Sequence, residues 1–227
     1  MSHLEIQSSS GTTETIPCNR LLIASGAWTP SVFRILFPSS RLRVGVQPLA
    51  GYSLVIRSPR LAKQLDRSGC HAIFTSMRSG ISPELFSRIG GDADESEIYI
   101  AGLNDASLPL PELATDAKIE KDSNAELHRI SEKLLGEPGA QPGDLEVLKE
   151  GLCFRPVTRT GVPILAQVPD EKLGSGVITR SGANGGVFLA AGHGPWGISH
   201  SLGTGKVMAE MLEREKTSAD VRRLGLQ

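Results

Sequence analysis

The C-terminal part of the chain carries the most regular pattern of hydrophobic and polar positions. The apolar run Val187–Ala191 has the length and composition of a buried strand. The residues after 197 alternate apolar and polar positions at the spacing of one helix face. The apolar members of this helix are Ile198, Leu202, Met208, Ala209, Met211 and Leu212. The pattern therefore predicts a strand followed by an amphipathic helix.

Between this strand and helix lies a turn that is rich in glycine. Gly192, Gly194 and Gly197 surround His193 and Trp196. A strand, a glycine turn and a helix together present bare backbone N–H groups at a helix N-terminus to an anionic ligand. The alternative is a turn that needs glycine only for its positive φ angles.

A second unit of the same kind is predicted near the N-terminus. The apolar residues 21–24 form a short strand, which leads into the small side chains of Ser25-Gly26-Ala27 and then Trp28. Thr29 is predicted as the N-cap of a helix over 31–37, with Pro30 at its first position. The residues that this helix is expected to bury are Val32, Ile35 and Leu36.

The rest of the chain reads as strands joined by turns. Residues 4–7 and 13–17 flank a polar turn and predict a hairpin. The other predicted strands are Leu42–Val46, Ser53–Arg57, His71–Ser76, Glu97–Ala101 and Leu145–Cys153. The turns predicted between them lie at 48–51, 67–69 and 90–92. This succession is typical of an antiparallel sheet.

One helix interrupts these strands. It is predicted to start at Ser123, because Ser123 and Glu126 have the spacing of a capping box, and to end at Gly136. Its buried face is predicted from Leu127, Ile130 and Leu134. The middle of the chain is therefore expected to be an α+β domain.

Composition and charge exclude several classes of protein. The 227 residues contain 39% hydrophobic side chains and carry a net charge of −1, which excludes a disordered acidic chain and gives no electrostatic reason for binding nucleic acid or an anionic membrane. The first ten residues do not resemble a signal peptide, and no apolar run approaches the ~20 residues of a membrane span. We expect a cytoplasmic protein without a membrane span.

The cysteines and carboxylates do not indicate a metal site. The three cysteines, at 18, 70 and 153, are far apart and form no pair with zinc-binding spacing. The acidic residues between Asp92 and Glu97 have no histidine beside them, so they are interpreted as a solvated turn. We therefore expect neither a bound metal nor a disulfide framework.

Three stretches, in this order along the chain, resemble the FAD-dependent oxidoreductases of the D-amino-acid oxidase superfamily. They are IASGAWTP at 23–30, CFRPVTRTGVPILAQVP at 153–169, and the strand, turn and helix at 187–212. This superfamily includes glycine oxidase and the sarcosine and fructosyl-amino-acid oxidases. The segments SPELFSRIGG and EIYIAGLND indicate similarity to a fungal-type branch. The resemblance covers essentially the whole chain.

The resemblance implies a fold that combines α/β and α+β parts. In such a fold, a Rossmann-like FAD-binding domain is interleaved in sequence with an antiparallel-sheet substrate domain. Residues 1–40 and 153–227 would belong to the C-terminal part of the FAD-binding domain, and residues 41–152 to the substrate domain.

The resemblance also implies which residues lie at the cofactor. Gly26, Ala27 and Trp28 would pass near the flavin. The turn Gly192-His193-Gly194-Pro195-Trp196-Gly197-Ile198 would lie against the pyrimidine edge of the isoalloxazine ring. Reduction by hydride places negative charge on that edge, and the N–H groups at a helix N-terminus, with ~0.5 of a positive charge, stabilise it.

Two further residues take possible roles from the resemblance. Arg155 matches an arginine that helps bind the substrate carboxylate in the glycine oxidase branch, and a guanidinium suits that ligand. The alternative is a structural arginine. Cys153, with Thr158 after it, matches a context in which a cysteine carries the flavin covalently in the sarcosine oxidase branch. The alternative is a structural cysteine.

The chain departs from this superfamily at the N-terminus. A G-x-G-x-x-G turn for the FAD pyrophosphate is expected there, and the N-terminal part of the sequence contains none. We therefore expect this chain to be the C-terminal portion of a flavoenzyme. The first hypothesis is an FAD-dependent oxidoreductase that oxidises a C–N bond of a small amine or amino acid. The alternative is a non-catalytic remnant or interaction module that keeps the scaffold without flavin.

Overall fold

The computed structural model describes residues 3–59, 71–89, 96–137, 139, 144–179 and 185–226. The turns predicted at 67–69 and 90–92 lie outside the described residues, as do Cys70 and most of the acidic run that begins at Asp92.

The chain forms ten strands and three α-helices in the described residues. The strands are β1 (His3–Gln7), β2 (Thr13–Pro17), β3 (Arg20–Ile23), β4 (Val46–Arg57), β5 (Ala72–Phe74), β6 (Glu84–Ile89), β7 (Ser96–Asp105), β8 (Glu146–Thr158), β9 (Ile164–Val168) and β10 (Gly186–Ala191). The helices are α1 (Thr29–Leu36), α2 (Lys121–Leu135) and α3 (Gly197–Leu212).

These elements fall into two compact units that are interleaved along the chain. Unit 1 contains residues 1–48 and 155–227, and unit 2 contains residues 49–154. The predicted boundaries were 40/41 and 152/153, so the divisions lie eight and two residues further along.

Unit 1 is built on a three-stranded sheet in the order β3-β10-β9. β10 pairs in parallel with β3 and antiparallel with β9. Alternate residues of β10 point to opposite faces: Val187 and Leu189 join the core that includes Phe33 of α1, whereas Phe188 packs with Met208 of α3. Both faces of the central strand are thus covered, which is why its sequence is apolar throughout.

The hairpin predicted at the N-terminus is confirmed. β1 and β2 pair antiparallel, with His3 opposite Pro17 and Gln7 opposite Thr13. The two strands form a sheet of their own, and nearly all of their residues are exposed.

Unit 2 is built on the sheet β5-β6-β7-β4-β8, and the neighbours described in register are antiparallel. Its core lies between one face of this sheet and α2. Leu127 and Ile130 of α2 are buried there, and Leu134 packs against them, so the predicted helix face is confirmed. The sheet contributes Tyr52, Leu54, Ile56, Leu85, Ile98 and Ile100 to this core.

The predicted strand at 42–46 and the turn at 48–51 are wrong. The residues before Val46 form no strand, and β4 runs without interruption from Val46 through the predicted turn. The pairing of β4 with β7 begins only at Ala50, so the missing N–H of Pro48 costs no hydrogen bond to β7. Strands β6 and β9 were not predicted.

The predicted start of α2 and one predicted burial on α1 are also wrong. α2 begins at Lys121, and no side chain caps its N-terminus. The carboxylate of Glu126, predicted to close a capping box, instead accepts a hydrogen bond from Arg129 Nε at 2.9 Å. On α1, Phe33 is buried and Val32 and Leu36 pack against the core, but Ile35 is 77% exposed.

Two further features are absent from the described residues. They contain no group of three or more His, Cys, Asp or Glu side chains placed to hold a metal ion. None of the helices described combines the length and the apolarity that crossing a bilayer requires.

Candidate functional site

Both predicted turns lie at the same edge of the unit 1 sheet. β3 and β10 are parallel, with Ile23 opposite Leu189. The turn after β3 and the turn after β10 therefore leave the carboxyl ends of neighbouring parallel strands. This edge is where open α/β sheets bind their ligands.

The turn after β10 depends on glycine conformations. Gly192 has φ +87° and Gly194 has φ +56°, both in the region that side chains disfavour. Gly194 opens a single 3-10 turn, closed by the Trp196 N–H donating to the His193 carbonyl at 3.0 Å. α3 then begins at Gly197, and no side chain caps its N-terminus. The helix start is left to backbone N–H groups alone.

Close packing gives a second reason for glycine at position 192. A Cβ there would lie 2.5 Å from Thr158 Cγ2. Thr158 is 9% exposed, and its hydroxyl donates to the Val162 carbonyl at 2.7 Å, which holds its side chain in place. Thr158, at the end of β8, therefore packs directly against Gly192 of the turn.

His193 fastens this turn to the body of α3. Its Nε2 lies 2.9 Å from Thr204 Oγ1. Burial lowers the pKa of His193, and the charge of nearby His200 lowers that pKa further. The ring of His200 also stacks on that of Trp196, with centroids 6.5 Å apart. His193 is therefore neutral at neutral pH and acts as a brace within the turn.

The first two turns of α3 expose large apolar side chains. Ile198 and Leu202, two of the apolar members of the predicted helix, are 92% and 89% exposed. Trp196 beside them is 59% exposed. The buried residues of the helix, Val207 and Met208, lie in its second half. An apolar surface therefore borders the uncapped N-terminus of α3.

An open groove of about 370 Å³ adjoins this surface. Small and apolar residues of β3, β10 and α3 line it, including Leu22, Ala190 and Gly205, and His193 lies among them. The groove and the turn thus form one continuous feature of unit 1.

The turn after β3 contains a short 3-10 helix. Gly26 has φ +56° and begins a 3-10 turn through Trp28, whose N–H donates to the Ser25 carbonyl at 3.0 Å. Ala27 is buried. Thr29 was predicted as the N-cap but already has helical backbone angles, so Trp28 takes that place. The Thr29 hydroxyl is buried without a hydrogen-bond partner.

The two remaining predicted residues lie on β8. Cys153 belongs to unit 2, is exposed, and its Sγ donates a weak hydrogen bond to the Gly51 carbonyl at 3.5 Å. Arg155 belongs to unit 1 and is half-buried. Thr204 was not predicted, because no local motif links it to a histidine eleven positions earlier.

Residues 3–211 match the family described as FAD dependent oxidoreductase. The chain belongs to this family. Its cofactor is FAD, as the family's description states.

Two yeast proteins are similar in sequence to this oxidoreductase-family chain. The Schizosaccharomyces pombe protein C1F5.03c, provisionally named an oxidoreductase, is 28% identical over 216 residues, which are 92% of this chain and 46% of the relative. TDA3 of Saccharomyces cerevisiae, named in the same provisional way, is 31% identical over 149 residues, which are 63% of this chain and 24% of the relative.

Solved structures share the fold of this family member. Iminodiacetate oxidase from Chelativorans sp. BNC1 has a TM-score of 0.65 at 20% identity. The match covers 98% of this chain and 49% of the oxidase chain. Glycine oxidase from Geobacillus kaustophilus has a TM-score of 0.62 at 21% identity, with coverage of 98% and 48%. The chain thus spans about half the length, or less, of the proteins it matches.

Proposed function

We propose that these residues form part of an enzyme that oxidises a C–N bond of a small amine or amino acid by hydride transfer to FAD. The observation that carries this proposal is the start of α3. There a glycine turn leads into a helix N-terminus that has no side-chain cap and is bordered by exposed Trp196 and Ile198.

These residues suit the pyrimidine edge of a flavin. The backbone N–H groups of the first helical turn are donors for its carbonyl oxygens. The exposed indole and the Ile198 side chain offer an apolar surface that a flat ring would cover. When bound, FAD accepts the hydride, and its reduced ring carries negative charge.

The chain's contribution to this chemistry is electrostatic. The macrodipole of α3 places ~0.5 of a positive charge at the turn. His193 adds no charge of its own, because its pKa is lowered by burial and by His200. Its hydrogen bond to Thr204 holds the donors in position before the reaction begins. Hydride transfer from a neutral amine needs no protein base, so neither histidine is assigned that role.

Further roles follow from the resemblance. We propose that Gly26, Ala27 and Trp28 contact the flavin, since their turn leaves the same sheet edge. Arg155 is proposed to bind the substrate carboxylate. Cys153 is proposed as a cofactor-site residue, and its exposed thiol is accessible to covalent chemistry.

We also propose how the two units divide the work. Unit 1 would carry the flavin and unit 2 would provide the sheet for the substrate. The G-x-G-x-x-G spacing occurs in the 227 residues only at 192–197, in the turn that we propose faces the flavin ring, and the relatives extend well beyond the matched region. We propose that polypeptide outside these residues holds the pyrophosphate.

The proposal is tested on the native polypeptide that carries these residues. It should purify with FAD bound and therefore be yellow. Acid precipitation should then show whether the FAD is released or stays with the protein. Under anaerobic conditions, its visible absorption should bleach with one of a set of small amines and amino acids that includes glycine and iminodiacetate. A native protein without flavin would instead support the non-catalytic alternative, and a bound flavin that no amine reduces would overturn the substrate class.

Acid precipitation also tests Cys153. A yellow pellet that becomes colourless in Cys153→Ser would demonstrate a covalent bond through this thiol. Colour that stays in the supernatant of the unmodified protein would exclude it.

A further inference from the structure

A second concave feature of unit 1 shares no lining residue with the groove beside α3. It is a cavity of about 950 Å³ between the segment 39–43 and the loop 171–175. Its lining residues are Ser39, Arg41, Leu42, Arg43, Glu171, Lys172, Gly174 and Ser175.

The two walls of this cavity are fastened to each other. The Ser40 hydroxyl donates to the Lys172 carbonyl at 2.5 Å and accepts from the Leu42 N–H at 3.1 Å. Gly174, with φ +105°, approaches so closely that a Cβ would lie 2.8 Å from the Ser39 carbonyl carbon. Packing and hydrogen bonds therefore hold the two walls of the cavity in a fixed position relative to each other.

The walls carry an excess of positive charge. Leu42 and Val44 pack against the core, so Arg41 and Arg43, which alternate with them, are directed outwards on one side. Lys172 faces the cavity from the other wall. Glu171 is the one acidic residue in the lining, which leaves two net positive charges on a chain whose total is −1.

These cations have no counter-ion among the described residues. Across the ranges that the structure describes, Arg41, Arg43 and Lys172 make no ion pair or side-chain hydrogen bond. Other surface arginines do, as in the pairs of Arg57 with Glu146 and Arg88 with Glu97. Like charges placed together without a partner repel one another unless an anion binds between them.

The loop adds backbone donors to this charge. Leu173 has α-helical angles and Gly174 a positive φ, a sequence of conformations that points successive N–H groups into one concavity. Among the described residues, the N–H groups of Gly174 and Ser175 donate to no acceptor. Hydroxyls of Ser39 and Ser175 lie in the same lining.

We propose that this cavity binds a phosphate group, either free or carried by a small molecule. The donors at this cavity are two guanidinium groups, one ammonium group, two backbone N–H groups and two hydroxyls. They outnumber the two oxygens with which a carboxylate could accept hydrogen bonds. A tetrahedral oxyanion can accept from both walls at once. The site is independent of the proposed flavin chemistry.

The test is calorimetric titration of the native protein with inorganic phosphate and with pyrophosphate, at ionic strength fixed with potassium chloride. Both should bind, and acetate should bind at least tenfold more weakly. The variant R41Q/R43Q should weaken phosphate binding by about tenfold or more, since charge-assisted hydrogen bonds are lost.

The matched control is R78Q/R223Q, which removes the same charge from two exposed arginines outside the cavity. It should bind phosphate within about twofold of the unmodified protein, and both variants should have the same melting temperature. The proposal is overturned if phosphate does not bind, if acetate binds equally well, or if both double variants lose binding to the same extent.

Discussion

His193 Nε2 and Thr204 Oγ1 lie 2.9 Å apart, and this hydrogen bond joins the glycine turn to the second turn of α3. It spans the uncapped helix start that we assign to the flavin. The bond thus fixes the turn and the helix as one rigid element.

The first prediction concerns this hydrogen bond. Thr204→Val keeps the shape of the side chain but removes the partner of a half-buried imidazole. The free energy of unfolding should fall by about 0.5–1.5 kcal/mol in urea titrations. Ser201→Ala is the control, because the Ser201 hydroxyl donates only to the Ile198 carbonyl on the exposed side of the same helix. Equal losses in the two variants would mean that the brace contributes nothing.

The second prediction concerns pH. The pKa of His193 is lowered from 6.5 by burial and then by His200. Below pH 6.5 the imidazole of His193 therefore binds a proton more readily in the unfolded chain than in the folded chain. This contribution to stability is complete above pH 6.5 and is lost progressively as the pH falls towards the folded pKa.

The measurement is an NMR titration of the imidazole protons of His193. Its midpoint should lie below pH 6.5 and should rise in His200→Gln, since the neighbouring charge is removed. A midpoint at or above 6.5, or no response to His200→Gln, would contradict the described environment.

The third prediction contrasts two glycines. Gly192→Ala should destabilise the protein by roughly 1–3 kcal/mol, because φ is +87° and the new Cβ would meet Thr158. Gly203→Ala should stabilise it by about 0.5–1 kcal/mol, since that residue is exposed within α3 with open space around it. Thermal unfolding of the two variants should therefore shift in opposite directions.

A further variant separates clash from backbone strain. Thr158→Ser removes the methyl group that a Cβ at position 192 would meet. It should recover part of the loss caused by Gly192→Ala but not the part due to the positive φ. A full recovery would show that the backbone conformation costs nothing.

Much of the fold is predictable where one face of an element is buried. The β10 strand and the buried face of α2 follow from periodicity alone, because apolar spacing reports which side meets the core. The prediction of Thr29 as a helix N-cap is wrong because the chain turns earlier, at Gly26. Thr29 therefore already has helical backbone angles. Strand β4 passes through Pro48 because of a pairing register that the sequence does not encode locally.

The candidate site was only partly predictable for a related reason. Ile198 and Leu202 have the spacing of a buried face, but the pattern specifies apolarity and not what covers it. The glycine turn itself was visible, because positive φ angles at Gly192 and Gly194 demand that residue. Its support by Thr158 and Thr204 depends on contacts between residues distant in sequence.

The central claim is that the start of α3 lies against the flavin, and charge at Ile198 tests it most directly. The side chain is 92% exposed, so Ile198→Asp and Ile198→Lys should both fold. In the native flavin-containing protein, the lysine should raise the flavin midpoint potential and the aspartate should lower it. Each shift should be roughly 10–20 mV, as expected for charge at a helix terminus.

The matched control is the same pair of substitutions at Leu202, one turn further along and 89% exposed. If the account is right, the potential shifts with opposite signs at Ile198 and by clearly less at Leu202. Equal shifts at the two positions, or none at Ile198, would contradict it.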